Sequence, residues 1–138
     1  TKRTNLAKLE GGAKLIVRER LLTHGTQEAE SDYVVELNGE DASADVVSRS
    51  VAKDHSYQLF KSQIVGNAKC SGHTECDAII MDDARIVADP GLTANNLDAA
   101  LIHEAAIGKI AGEQIIKLMT LGLTEEEAEA QIVNGFLK

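Results

Sequence analysis

Over most of its length this chain reads as short apolar runs broken by turn residues. Ala13–Leu22, Asp32–Leu37, Ala44–Val51, Tyr57–Val65, Thr74–Met81, Ala84–Ala88 and Ala99–Ala105 read as strands. The punctuation between them is Asn38-Gly39, Gly66-Asn67, Ser71-Gly72, Asp82-Asp83 and Asp89-Pro90-Gly91. Strands of this length at short intervals predict a sandwich, a barrel or a β-solenoid. Val34-Val35, Val46-Val47 and Ile79-Ile80 are adjacent apolar pairs, so one member of each faces the wrong way for a simple two-faced hairpin. Stacked rungs can bury both, one inside the coil and one beneath a neighbouring layer, which favours the solenoid. No exact repeat is visible by eye.

The period changes near the end of the chain. Glu113–Leu121 reads as a helix carrying Ile115, Ile116, Leu118 and Met119 as an apolar stripe, stopped by Gly122. Thr124-Glu125-Glu126-Glu127 then forms a capping box. Its hydroxyl is set to cap the third amide, and the acidic first turn complements the helix dipole. Ala128, Ile132 and Phe136 give the second helix one apolar face, and Gly135 is expected to mark its fraying end. The predicted organisation is a β portion over residues 1–110 and a helical hairpin over 111–138.

Composition narrows the classes. With 138 residues and 43% apolar content, the chain suits one folded unit with a modest core. The formal net charge is -8, divided into +4 over residues 1–22 and -12 over the remainder. An acidic body repels a phosphate backbone, which argues against a nucleic-acid partner. Aromatic residues are only 3%, too few for base stacking or a ring-lined carbohydrate groove. No run approaches the roughly 18 apolar residues of a membrane span. Two cysteines, Cys70 and Cys76, are fewer than a secreted disulfide framework uses, and the expectation is a cytoplasmic protein with reduced thiols.

The chemistry-bearing residues are few. Cys70-x-x-His73-x-x-Cys76 has a metal-like look, but in extended chain a separation of three places neighbours on opposite faces. His103 and Glu104 are adjacent, so they also face opposite ways. Leu101 and Ala105 share the side of His103; Ile102 and Ala106 share that of Glu104. Asp54-His55-Ser56 has no triad geometry from adjacency alone. Asp82, Asp83 and Asp89 read as turn acceptors, and Lys109 as a solvated strand end. No phosphate-binding glycine motif occurs, so any work with ATP belongs to a partner.

Several of these pieces, in this order and spacing, resemble one family. They are Ser56-Tyr57-Gln58-Leu59-Phe60, Cys76-Asp77-Ala78-Ile79-Ile80, His103-Glu104-Ala105 with Lys109-Ile110, and Gly122-Leu123-Thr124-Glu125-Glu126-Glu127-Ala128 with Ile132-Val133-Asn134-Gly135-Phe136. Together they are similar to the SufB/SufD scaffolds of iron–sulfur cluster assembly, closely over residues 50–138 and more loosely before. The resemblance implies a right-handed parallel β-helix followed by a small helical region. It also implies partners: an ABC-type ATPase called SufC, and a second SufB/SufD-type protomer in a homo- or heterodimer. Complete members carry a further N-terminal region, so this chain, which begins at Thr1, is expected to be a piece of a longer protein.

Residue by residue, Cys76, His103 and Glu104 match the positions on which cluster assembly depends in SufB-type members, with Cys76 and Glu104 as the metal-binding pair. Leu121, Leu123, Ile132 and Phe136 fall in the ATPase-docking helices. A cubane cluster takes four protein ligands, usually Cys, and this chain offers two Cys and four His. The expected cofactor is therefore a transient iron–sulfur cluster that this chain alone does not retain. Such a cluster spans two protomers, takes His and Glu ligands, or is labile. The expected function is a non-enzymatic scaffold. The alternative is a structural SufD-like partner that supplies dimerisation and ATPase docking without a cluster; a β-helix polysaccharide enzyme would want a basic, aromatic groove. Unpaired edge strands predict dimerisation or stacking.

Overall fold

The computed structural model describes residues 1–110 and 112–138. Its organising feature is a pairing interval of one coil turn. In one sheet Lys2 pairs with Glu30, Glu28 with Tyr57, and Tyr57 with Arg85, so partners lie 28 or 29 residues apart. The strands are β1 (Lys2–Leu9), β2 (Lys14–Thr23), β3 (Glu28–Leu37), β4 (Ser43–Ala52), β5 (Tyr57–Gly66), β6 (Cys70–Ile80), β7 (Arg85–Ala94) and β8 (Ala99–Lys109). Odd strands form one parallel sheet, β1-β3-β5-β7, and even strands the other, β2-β4-β6-β8. The chain is thus a four-turn parallel β-solenoid, two strands per turn, followed by α1 (Gly112–Thr120) and α2 (Glu125–Leu137). The expected boundary at residue 111 falls on Ala111, which lies outside the described residues.

Alternation along each strand fills the space between the sheets. Tyr33, Val35 and Leu37 of β3, Ala44 and Val46 of β4, Phe60 and Ile64 of β5, and Cys70 and Cys76 of β6 form one buried cluster. The β1 strand was not among the expected strands. Its sequence, KRTNLAKL, is mostly exposed and carries Lys2, Arg3 and Lys8, because the first rung has only one neighbouring strand and little to bury. The adjacent apolar pairs divide as the solenoid reading requires. Val35 and Val46 face inward, and Val47 is buried on the outer face. Val51, also outward, lies with Ile79 under α2, where Val51, Met81 and Val133 form a cluster that Ile110, Phe136 and Leu137 flank.

The corners repeat as well. Asn67 Nδ2 donates to Asn38 Oδ1 at 2.7 Å, and Asn95 Nδ2 donates to Asn67 Oδ1 at 2.8 Å, an asparagine ladder up one edge. At another corner Gly25, Asp54 and Asp82 all take positive φ. Asp tolerates that conformation better than most side chains do. Here the Gly25 amide donates to Asp54 Oδ2 and the Asp54 amide to Asp82 Oδ2. Pro90 sits on β7, an edge strand, where a missing amide hydrogen costs no ladder bond on the open side.

The helical end follows its local signals. Thr124 is the N-cap of α2 and accepts from the Glu127 amide at 3.1 Å. The Glu127 carboxylate accepts from the Thr124 hydroxyl at 3.0 Å instead of reaching the backbone, so the capping box closes side chain to side chain. Helix α2 buries Ala128 and Val133 and continues through Gly135 to Leu137, past the expected fraying point. Ile132 and Phe136 are half-buried. Helix α1 buries no residue.

Candidate functional site

The even-strand sheet gathers most of the chemistry-bearing residues on β4, β6 and β8, and sorts them by face. Pairing in this sheet makes inward rows of Glu19, Ser48, Cys76 and Ala105, and of Val17, Val46, Thr74 and His103. It makes outward rows of Ile16, Asp45, His73 and Ile102, and of Arg18, Val47, Glu75 and Glu104. Cys76 and His103 therefore share the interior, whereas Glu104 lies on the outer face. Adjacent residues in a strand cannot do otherwise.

Inside, Cys76 is 1% exposed. Burial pushes its thiol up to about 11, with Asp77 and Glu19 adding negative charge nearby, so at neutral pH it is protonated. Two strands away the buried Glu19 carboxylate accepts from the Ser31 hydroxyl and, at 2.7 Å, from the Ser48 hydroxyl, with the Tyr33 hydroxyl at 3.4 Å. Those donors are what a buried carboxylate needs. The same burial and the Glu19 charge hold the Tyr33 hydroxyl above its ordinary range. His103 Nδ1 lies 2.6 Å from Thr74 Oγ1, and partial burial lowers its basicity, with the charge of His73 acting in the same direction. Cys70 is also inward and buried, and both thiols are free.

Outside, a second group forms that no local motif announced. Arg18 Nη2 donates to Asp45 Oδ2 at 2.8 Å; His73 Nδ1 lies 2.7 Å from Asp45 Oδ1, and His73 Nε2 lies 3.3 Å from Glu104 Oε2. The hydrogen bond from His73 holds the Asp45 carboxyl below its ordinary range, so Asp45 is ionised and Nδ1 is the donor. Asp45 in turn raises the basicity of His73, with Glu104 contributing. One ligand atom each from His73, Glu75 and Glu104 fall within 4.8 Å of one another. His73-x-Glu75 was legible as a same-face pair on a strand. The Asp45 and Glu104 partners come only from the coil register.

The remaining candidates separate clearly. Cys70 and Cys76 point inward and His73 outward, so the Cys70-x-x-His73-x-x-Cys76 triplet shares no face. His55 is exposed with Nδ1 3.8 Å from Asp83, and Ser56 donates to the Lys53 carbonyl, so the Asp54-His55-Ser56 run builds no triad. Lys109 is exposed at the end of β8. Leu121, expected as the last residue of the first helix, lies in the turn after α1 and is 78% exposed, and the exposed Ile116 and Met119 of α1 lie near it in sequence. Leu123, Ile132 and Phe136 are half-buried, Phe136 against the Val51–Met81–Val133 cluster. A cleft of about 420 Å³ lies at the first turn, where Arg3, Glu19, Leu21, Thr23 and Ser31 are among its walls. It opens at the opposite end of the coil from His103.

A parallel coil of short strands with cysteine and histidine facing its interior and two helices at its end places the chain among the parallel β-solenoids. The family described as "SUF system FeS cluster assembly, SufBD core domain" matches residues 2–136, and the chain belongs to it. Relatives agree. An iron–sulfur cluster assembly SufBD family protein of Methanothermobacter thermautotrophicus is 43% identical over 103 residues, 73% of this chain and 25% of that protein. One from Pyrococcus horikoshii is 43% identical over 104 residues, 74% of this chain and 23% of its own length. A second from that organism is 34% identical over 137 residues, 94% of this chain and 42% of its length. The chain thus spans about a quarter of the first of these relatives. No helix among the described residues is long and apolar enough to cross a membrane.

Proposed function

We propose that this chain is the part of a SufBD scaffold on which a nascent iron–sulfur cluster is assembled, with the cluster as cargo and with docking of a SufC-type ATPase at the helical end. The observation that carries the reading is the shared interior of Cys76 and His103 in the last two turns of the solenoid, one strand apart. A thiol and an imidazole are both competent iron ligands. The deep burial and high basicity of the Cys76 thiol set a condition on that chemistry. Iron must displace the thiol proton, and β8 must part from β6, or the last turn must open, before an ion reaches Sγ. A site that opens to load and closes on a neutral thiol suits a scaffold that gives its cargo away.

Two surfaces support the assembly side of the reading. β7 and β8 are edge strands, and Ile102 and Ile107 are exposed on β8, which suits strand-to-strand pairing with a second SufB/SufD-type protomer. Ile116, Met119 and Leu121 are exposed apolar residues of the helical end, the complement an ATPase surface would cover. The residues carry assembly and docking and no catalytic role of their own. Two free, buried thiols fit a reducing cytoplasm.

A second reading rests on the same burial. A protonated, inaccessible Cys76 is also what a SufD-like structural partner would carry, a small apolar filler in a chain that dimerises and docks the ATPase without a cluster. Anaerobic reconstitution with iron and sulfide decides between them, comparing wild type with Cys76→Ser by visible absorption and protein-bound iron. The scaffold reading expects charge-transfer absorption that the mutant loses. Equal iron and sulfide uptake by both proteins, or none by wild type, leaves the structural partner.

A further inference from the structure

On the outer face of the even-strand sheet one imidazole and two carboxylates converge. Asp45 accepts from His73 Nδ1 at 2.7 Å, which orients the ring. His73 Nε2 then faces Glu104 Oε2 at 3.3 Å. Glu75 stands opposite Glu104 in the parallel register, and like charges directly opposite on neighbouring strands destabilise a sheet. The guanidinium of Arg18 is engaged with Asp45 one strand further back.

A proton on His73 would answer the His73–Glu104 contact alone. A metal ion answers all three groups. Ligand atoms bound to one ion at about 2.1 Å lie roughly 3–4 Å apart, and those of His73, Glu75 and Glu104 already fall within 4.8 Å, a gap that side-chain rotation closes. Their backbones sit on adjacent strands of a rigid sheet. The hydrogen bond from Nδ1 to a carboxylate is the outer-shell support that metal-binding histidines use to orient the ring and strengthen Nε2 as a donor.

We propose that His73 Nε2, Glu75 and Glu104 bind a single divalent first-row transition-metal ion on the outer face of the solenoid. One imidazole and two carboxylates, without sulfur, favour Fe²⁺, Mn²⁺ or Zn²⁺ over a thiophilic ion. Three protein ligands leave coordination positions for water, so the ion is exchangeable and not a structural staple. The site is separate from the interior Cys76 and His103, which point to the other side of the same sheet. It does not depend on the cluster reading.

The test is anaerobic calorimetric titration of the protein with Fe²⁺ or Zn²⁺ alone, without sulfide, and with Co²⁺ as an optical reporter. The expected result is one ion per chain, with Co²⁺ showing ligand-field bands and no thiolate charge transfer. His73→Ala and Glu104→Gln should each weaken binding at least tenfold, and Cys76→Ser should leave it unchanged. Glu104→Gln preserves shape, so it keeps the test valid if His73→Ala proves poorly folded by circular dichroism. Three results would overturn the assignment: no ion bound by wild type, wild-type affinity in both outer-face variants, or thiolate charge transfer that disappears in Cys76→Ser. Failure of the cluster reading shows up separately, as iron–sulfide reconstitution insensitive to Cys76→Ser.

Discussion

Val133→Ala is the perturbation that most directly tests how the helical end is held. Val133 is 7% exposed and meets Val51, at 0%, and Met81, at 7%, in the cluster between α2 and the solenoid. Truncation removes two methyl groups, about 1.6 kcal/mol of transfer free energy at about 0.8 kcal/mol per group. The hole left behind adds roughly 1 kcal/mol, at about 24 cal/mol per Å³ for a cavity of some 40 Å³. A 13-residue helix such as α2 is marginal in water without packing. Losing about 2–3 kcal/mol should therefore undock α2 without melting the coil. Amide hydrogen exchange followed by mass spectrometry reads this locally. Peptides covering Glu125–Leu137 should exchange about 30- to 140-fold faster at tenfold per 1.4 kcal/mol, while β4–β6 peptides keep their protection. Leu121→Ala, at a 78% exposed position, should change neither. Unchanged protection of α2 in Val133→Ala would refute this account of its docking, and a matching loss in β4–β6 would show that α2 and the coil unfold together.

Two further outcomes follow from the interior and the corners. Cys76 should alkylate at pH 8 at least about 100-fold more slowly than in the unfolded chain, since two units between its ordinary 9.0 and about 11 cut the thiolate fraction by that factor; an equal rate by mass spectrometry would show the last turn open. Because the folded value is raised, the associated stability is present below about pH 9 and is lost as pH rises through about 11, an upper bound of roughly 3 kcal/mol that melting curves across that window would detect. Asn67→Ala removes the hydrogen bonds to both Asn38 and Asn95 and should cost about 1–2 kcal/mol of unfolding free energy, read as a lowered denaturant midpoint, the exposed setting keeping it at the low end; no shift would mean that water replaces the ladder without loss.

Much of the architecture was readable along the chain. Apolar runs located seven of the eight strands, and the adjacent valine pairs favoured a coil, because each run carries its own period-two signal; Ser71-Gly72 and Asp89-Pro90-Gly91, expected as turns, lie inside β6 and β7, because pairing with the neighbouring turn overrides the local turn preference. The Thr124–Glu127 cap placed the start of α2 for the same reason. The first strand escaped, since Lys2–Leu9 buries little beyond Leu9 and so carries no apolar alternation. The repeat also escaped. Asn38, Asn67 and Asn95 stand 29 and 28 residues apart, but the residues between them share shape and burial and not identity.

The candidate chemistry divides along the same line. Opposite faces for His103 and Glu104, and the failure of the Cys70–His73–Cys76 triplet to share one, follow from strand parity, which any extended segment obeys on its own. Which side of the strand is inside does not. That Cys76 faces the core, where burial pushes its thiol up to about 11, depends on the coil closing over it, with Ser48 and Glu19 stacked in line in earlier turns. The Asp45–His73–Glu104 line depends on pairings across 28 and 31 positions. Local sequence determines period, caps and parity because those arise within a few bonds. Register between turns is decided only when every corner length and buried side chain fits at once, so the tertiary structure alone brings the outer-face ligands together.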